Sequence, residues 1–172
     1  AKQRGYIMSM APAESYLDPT TSEFSLSLAH NHPEWMELQP NFNYRGRNSY
    51  APFLAKYGTT TVERRGEGKT NGDAGTCVVV DTFDFVTVQL YEGYSHAEYQ
   101  LRHAHKTPAD VFVGLAQKLH EGWWVHFDST PALQLPSQRL SVPHTKLVIG
   151  LANKWAGDGK FLFMDAEEIA QG

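Results

Sequence analysis

The clearest helical pattern in the chain lies in residues 107–122. Apolar side chains recur there at the spacing of one buried helix face; they are Val111, Leu115 and Leu119. Thr107 can accept hydrogen bonds from the free amides of a first turn, and Pro108 fits the first helical position. Asp110 complements the positive end of the helix, and Gly122 suits its end. We therefore predict one well-capped helix in this segment.

Strand patterns flank this helix. Residues 59–65 and 123–128 are rich in β-branched and aromatic side chains, and residues 94–105 also favour a strand by alternation. Residues 76–91 are β-rich as well, but one strand of that length would span roughly 50 Å, which is too long for a small domain. We expect a bend or a break within them.

The order of these elements indicates the fold class. A strand, a helix and a second strand in succession favour a crossover between parallel strands. Residues 144–155 fit either a helix or one strand of a hairpin that closes at residues 157–159; we favour a helix, followed by a strand over residues 160–164. The sequence thus predicts an α+β fold, with a mixed, mostly antiparallel sheet and one or two packed helices.

The opening third of the chain has little periodicity. Residues 1–58 hold five prolines, each of which interrupts regular structure. A loop-rich stretch of this length is uncommon in a compact domain unless it is functional or held in place. We expect a long N-terminal arm over residues 1–58 and an α+β core domain over residues 59–172, with the arm projecting in part from that core.

Composition narrows the class of protein. The 172 residues include 15 Lys and Arg against 19 Asp and Glu, which gives a net charge of -4 and argues against non-specific binding to DNA. The single Cys77 excludes an internal disulfide. No apolar run approaches the roughly 18 residues of a membrane span, and the N-terminus lacks the apolar core of a signal peptide. We expect a soluble, non-secreted protein of the cytoplasm or another intracellular compartment.

The histidines suggest one candidate metal site. His103 and His105 are two residues apart, and so are His126 and Asp128, so on strands each pair would share a face. If the two strands were neighbours, four ligands suited to zinc, iron or manganese could converge. An open coordination position on such a metal could activate water.

Two short motifs bear a partial resemblance to known metal enzymes. His30-Asn31-His32-Pro33 resembles the zinc signature of JAMM metalloproteases, but Ser49 follows late and Pro52 stands where that family requires an Asp. The His-x-His pair at residues 103–105 resembles part of the metal site of relaxases and rolling-circle nucleases. No tyrosine follows it to serve as their nucleophile, so neither motif is complete.

A basic and aromatic segment is the candidate partner-binding surface. Residues 42–69 carry six Lys and Arg against two Glu, with five aromatic residues interleaved. Basic groups can hold phosphates and aromatic faces can stack on bases, although an acidic protein would fit equally well. The candidate binding residues are Tyr44, Arg45, Arg47, Tyr50, Lys56, Arg64 and Arg65.

These features favour two functions from different classes. The first is a non-catalytic binding or assembly subunit that engages a protein, a nucleic acid or another copy of itself through the arm and the basic segment. The second is a small metal-dependent hydrolase that uses the histidine set, and only this alternative requires a divalent metal cofactor. The sequence contains no complete catalytic motif, which favours the first.

Overall fold

The structure, a computed structural model, describes residues 1–26, 46–64, 76–91, 96–152 and 162–171. Within these residues the strands are β1 (Ser9–Met10), β2 (Thr59–Arg64), β3 (Thr76–Asp81), β4 (Phe85–Gln89), β5 (Trp123–Val125), β6 (Gln138–Leu140) and β7 (Leu147–Gly150). The helices are α1 (Ala51–Tyr57), α2 (His96–Glu98, continued by a π-helical turn over Tyr99–His103), α3 (Pro108–Glu121) and α4 (Ala166–Ile169). Short 3₁₀ turns cover Lys2–Arg4, Glu14–Leu17, Pro131–Leu133 and His144–Lys146. Across the described ranges, no helix combines the length and the apolar character needed to cross a bilayer.

A parallel sheet lies at the centre of the fold. Its strand order, β1-β4-β7, repeats their order along the chain. Ser9 lies beside Phe85, and Val86 lies beside Leu147, in parallel register. Because parallel neighbours need a crossover between them, helices α1 to α3 and the other strands occupy the connections. All carboxyl ends of this sheet therefore meet at one edge.

Two antiparallel pairs complete the sheets. Strands β2 and β3 pair along their whole length, from Thr59 beside Asp81 to Arg64 beside Thr76, and β5 pairs with β6. Residues 82–84 separate β3 from β4, which confirms the break expected in the long β-rich stretch. The combination of helices with parallel and antiparallel strands confirms an α+β fold.

Helix α3 confirms the strongest sequence prediction. Thr107 Oγ1 accepts a hydrogen bond from the Asp110 amide at 3.1 Å, as a capping residue should. Val111, Leu115 and Leu119 are buried in the core, where each side chain contributes about 1.5–3 kcal/mol to stability.

The structure overturns one predicted element and decides one open alternative against the favoured helix. Residues 96–103 are helical rather than extended, and Ala97 and Leu101, four residues apart, pack on the core from one helix face. Residues 147–150 form a strand instead of a helix, because Leu147 and Ile149 pack on the core while the backbone pairs with β4. In both segments the apolar spacing fits the period of a helix as well as that of a strand, and tertiary packing selects between the two structures.

The described part of residues 1–58 is built into the core. Met10, Leu17 and Phe24 are buried, and the Phe24 ring packs edge-on against Phe127 with 5.2 Å between ring centroids. Nearer the N-terminus, Ile7 is exposed. The prolines of this region therefore interrupt regular structure without separating it from the rest of the molecule.

The two faces of the parallel sheet are unequally covered. On one face Val86 and Val88 are fully buried. On the other, Phe85 keeps 37% and Val148 keeps 43% of its surface exposed. Parallel sheets are normally covered on both faces, so this open face is unusual.

Two glycines give a matched test of backbone constraint. Gly122 has φ +87°, and an added Cβ would lie 2.5 Å from the Leu140 carbonyl oxygen, whereas an added Cβ at Gly114 in α3 would meet open space. We expect Gly122→Ala to lower the free energy of unfolding by at least about 2 kcal/mol. Gly114→Ala should raise it by up to about 1 kcal/mol, because alanine favours helix. Urea denaturation of both variants checks this, and equal effects would contradict it.

Candidate functional site

Ionisable side chains collect at the carboxyl edge of the parallel sheet. The chain after β1 carries Glu14 and Asp18, and α2 begins at His96 beyond the end of β4. Ala13 forms a parallel bridge with Gln89, which holds the two strand ends side by side. Ligands of parallel α/β sheets bind at this edge, so it is the first place to look for a site.

A buried ion pair forms the centre of this group. His96 Nε2 lies 3.1 Å from Asp18 Oδ2 and 2.9 Å from Thr20 Oγ1. The Thr20 hydroxyl donates to Asp18 Oδ1 at 2.6 Å, and the Thr20 amide donates to the same oxygen at 2.9 Å. The Asp18 side chain is 2% exposed and that of His96 is 18% exposed. Both carboxylate oxygens of Asp18 are thus engaged in hydrogen bonds.

The surroundings favour the charged form of both partners. Burial by itself raises the pKa of Asp18, but the hydrogen bond and charge of His96, with the hydrogen bonds from Thr20, outweigh it and hold that pKa below its usual value. Burial also lowers the pKa of His96, but the hydrogen bond and charge of Asp18 and the charge of Glu14 raise it above its usual value. His96 is therefore biased toward the imidazolium.

The side chain of Asn48 supports the backbone that carries Asp18. Its carboxamide oxygen accepts hydrogen bonds from the Asp18 amide at 2.9 Å and from Trp123 Nε1 at 3.2 Å. Its nitrogen donates to the carbonyl oxygens of Thr21 at 3.1 Å and Glu23 at 2.8 Å. Asn48 is fully buried, so these four bonds fix the position of the loop that carries Asp18.

A small cavity of about 130 Å³ adjoins the ion pair. Glu14, Thr20 and His96 line one side of it, and α3 supplies Asp110, Gly114 and Lys118 on the other. Glu14 is 4% exposed, and its Oε2 accepts a hydrogen bond from the Ala97 amide at 3.2 Å. The cavity therefore offers a ligand both cationic donors and carboxylate acceptors.

The predicted metal ligands lie on different elements. His103 ends the π-helical turn of α2, His105 follows with φ +50°, and both are exposed. His126 is exposed beyond β5, and Asp128 accepts a hydrogen bond from the Ser137 hydroxyl at 2.8 Å. In the described part of the chain, no three His, Cys, Asp or Glu side chains are placed to share a metal ion. The helical conformation of residues 96–103 removes the strand on which the predicted site depended.

The residues of the predicted basic surface lie in different environments. Arg47 is buried; its backbone pairs with Ser25, and its Nε lies 3.9 Å from a Glu23 carboxylate oxygen. Tyr50 stacks on Tyr16 with 5.6 Å between ring centroids, while Lys56 is exposed on α1. Arg64 contributes its backbone to β2. The remaining candidates, Tyr44, Arg45 and Arg65, lie outside the described residues.

The chain matches no family model, and searches of the curated proteins and of the solved structures return no significant match. The function must therefore be inferred from the geometry of the site itself. The residues that form it, Glu14, Asp18, Asn48 and His96, were missed by the sequence patterns. The available signal in the sequence was the position of Glu14 and Asp18 soon after the apolar residues around β1.

The His96–Asp18 pair makes stability depend on pH. His96→Gln keeps a donor but removes the charge, so we expect the free energy of unfolding to fall by about 1–3 kcal/mol near pH 6. The raised pKa of His96 makes its contribution complete below the unfolded pKa of about 6.5 and lost as pH rises through the folded value. The lowered pKa of Asp18 makes its contribution complete above about 3.9 and lost as pH falls through its folded value.

Urea denaturation at about pH 3, 5.5 and 9 checks this expectation. The difference between the wild type and His96→Gln should be largest at the middle pH. His103→Gln is the control, because His103 is exposed and outside the pair. A difference that stayed constant across the three pH values would contradict the assignment of the ion pair.

Proposed function

We propose that the chain binds a small polar ligand in the cavity at the carboxyl edge of its parallel sheet, with His96 and Glu14 as the main contacts. The observation that carries this proposal is that the buried carboxylate of Glu14 and His96, the partner of buried Asp18, line one cavity. That edge is also where ligands of parallel α/β sheets bind.

The energetics of burial favour a functional role for these groups. Removing two charges from water carries a large desolvation penalty, and a buried ion pair adds little net stability compared with apolar packing. Ionisable groups with shifted pKa values in a cleft are typical of functional sites. Asp18 and His96 both have shifted pKa values, and His96 lines an open cavity rather than a sealed interior.

The arrangement suits proton transfer as well as binding. His96, held as an imidazolium by Asp18, can donate a hydrogen bond or a proton to a ligand atom. The Glu14 carboxylate can accept one. A ligand with an acceptor and a donor a few ångströms apart would satisfy both, and general acid catalysis by His96 is the chemistry that this geometry favours.

A fragment screen tests the ligand site. We expect ligand-observed NMR with small carboxylic acids, amides and polyols to find binders that are displaced when the cavity is altered. Gly114→Leu should abolish their binding, because an added Cβ there meets open space and the longer side chain fills the cavity. His96→Ala and Glu14→Gln should weaken binding about tenfold or more, since each removes a charged contact.

His103→Ala is the matched control, as it removes an exposed histidine outside the cavity. It should leave binding unchanged. Circular dichroism and thermal unfolding report whether each variant is folded. Fragments that bind equally well to Gly114→Leu and to the wild type would overturn the proposal.

A second function, assembly, is favoured by a different observation. We propose that a second copy of this chain covers the open face of the parallel sheet. Phe85 and Val148 expose apolar surface on that face, where parallel sheets are otherwise covered. Like faces can pack on one another around a two-fold axis, as in most homodimers.

A charged residue on the open face should prevent this association. We expect sedimentation velocity to show the wild type shifting from monomer to dimer as its concentration rises, and Val148→Lys to stay monomeric. Val113→Lys is the matched control, because Val113 is 61% exposed on α3 and not on the sheet. A wild type that remains monomeric at every concentration would overturn the assembly proposal.

A further inference from the structure

We propose that a second cavity, at the amino ends of the parallel strands, binds a small organic anion with an apolar body, such as an aromatic phosphate ester or carboxylate. This cavity has a volume of about 370 Å³. It lies between α1, β6 and the segments that lead into β4 and β7. None of its described lining residues lines the carboxyl-edge cavity, so it is an independent site.

The cavity has an apolar lining. Val86, Leu140 and Val142 are all among its lining residues, and each is buried. Leu54 of α1 and Phe83 add partly buried apolar surface. Contact with an apolar group would remove this surface from water at about 25 cal/mol per Å². The lining therefore fits a ligand that carries a hydrocarbon or aromatic body.

Cationic side chains also line the cavity. Lys56, Arg139 and Lys146 contribute three positive charges, and Asp81 is the single acidic residue among the lining residues that the structure describes. Lys146 Nζ donates to Asp81 Oδ2 at 2.6 Å and to the Phe83 carbonyl oxygen at 3.0 Å, so that pair is internally neutral. Within the described part of the lining, no further carboxylate pairs with Lys56 or Arg139.

Arg139 is held in place before any ligand arrives. One guanidinium nitrogen donates to the carbonyl oxygen of Glu121 at 2.7 Å and to that of Gly122 at 3.4 Å. Both acceptors lie at the end of α3, where the helix dipole is negative. A guanidinium has five N–H donors, so this anchoring leaves others available for an anion.

The local charge contrasts with that of the whole chain. The described lining residues carry a net charge of +2, from three cations and Asp81, whereas the chain carries -4. A concave, positively charged region on an acidic protein raises the local concentration of anions. Its own charge does not repel an anionic ligand. Charge and apolar lining together select an amphipathic anion over a neutral ligand or an inorganic ion.

Phenyl phosphate and phenol, which differ in the phosphate group, are the probes that test this inference. We expect phenyl phosphate to shift the amide resonances of residues 54–59 and 138–146 in a saturable NMR titration, and phenol to bind at least about tenfold more weakly. Inorganic phosphate should also bind more weakly, because it lacks the apolar body. Raising the salt concentration should weaken the binding of phenyl phosphate.

Lys56→Gln and Arg139→Gln should each raise the dissociation constant for phenyl phosphate several-fold, and the double variant at least about tenfold. Lys118→Gln, which removes a lysine from the other cavity, is the matched control and should have no effect. Lys56 is exposed on α1, so its variant should fold even if Arg139→Gln does not. Equal binding of phenol and phenyl phosphate, no saturable shift, or unchanged affinity in Lys56→Gln would overturn the proposal.

Discussion

The carboxamide of Asn48 joins parts of the chain that are far apart in sequence. Its four hydrogen bonds reach the backbone of residues 18–23 and the indole of Trp123, so every donor and acceptor of the side chain is used. Asn48 has φ +52°, a conformation that asparagine tolerates better than most residues. A residue of another shape would leave several buried polar groups without partners, each at about 1–3 kcal/mol. The position of Asp18, and with it the ion pair with His96, depends on this junction.

Elements whose causes are local could be predicted from the sequence. Helix α3 has its cap, its proline and its apolar stripe within one segment, and Thr107 performs the expected role. The strand over residues 59–64 and the break after Asp81 follow equally from local composition and length. In these places propensity, pattern and packing agree, which is why the prediction succeeds.

The candidate site could not be predicted in the same way. His96 meets Asp18 only because β1 and β4 are parallel neighbours, and residues 11–95 carry no local mark of that pairing. Strand β1 has two residues, too few for a period to be visible. The spacing of His103 and His105 predicts a shared face, whereas His96 is distinguished by its contact with Asp18 and not by any spacing. A site assembled from loops at strand ends is a property of topology, and topology is the level at which single-sequence reasoning is weakest.

The antiparallel bridge between Ser25 and Arg47 bears on how much the length of the sequence between them can vary. Two backbone hydrogen bonds, of 2.9 Å and 2.8 Å, hold Ser25 and Arg47 side by side although they are far apart in sequence. Because the ends of the intervening sequence are already joined, lengthening that sequence adds only a slowly growing entropic cost to the free energy of folding. Evolution or an engineer could therefore graft new sequence between these two points while the junction at Asn48 stayed intact.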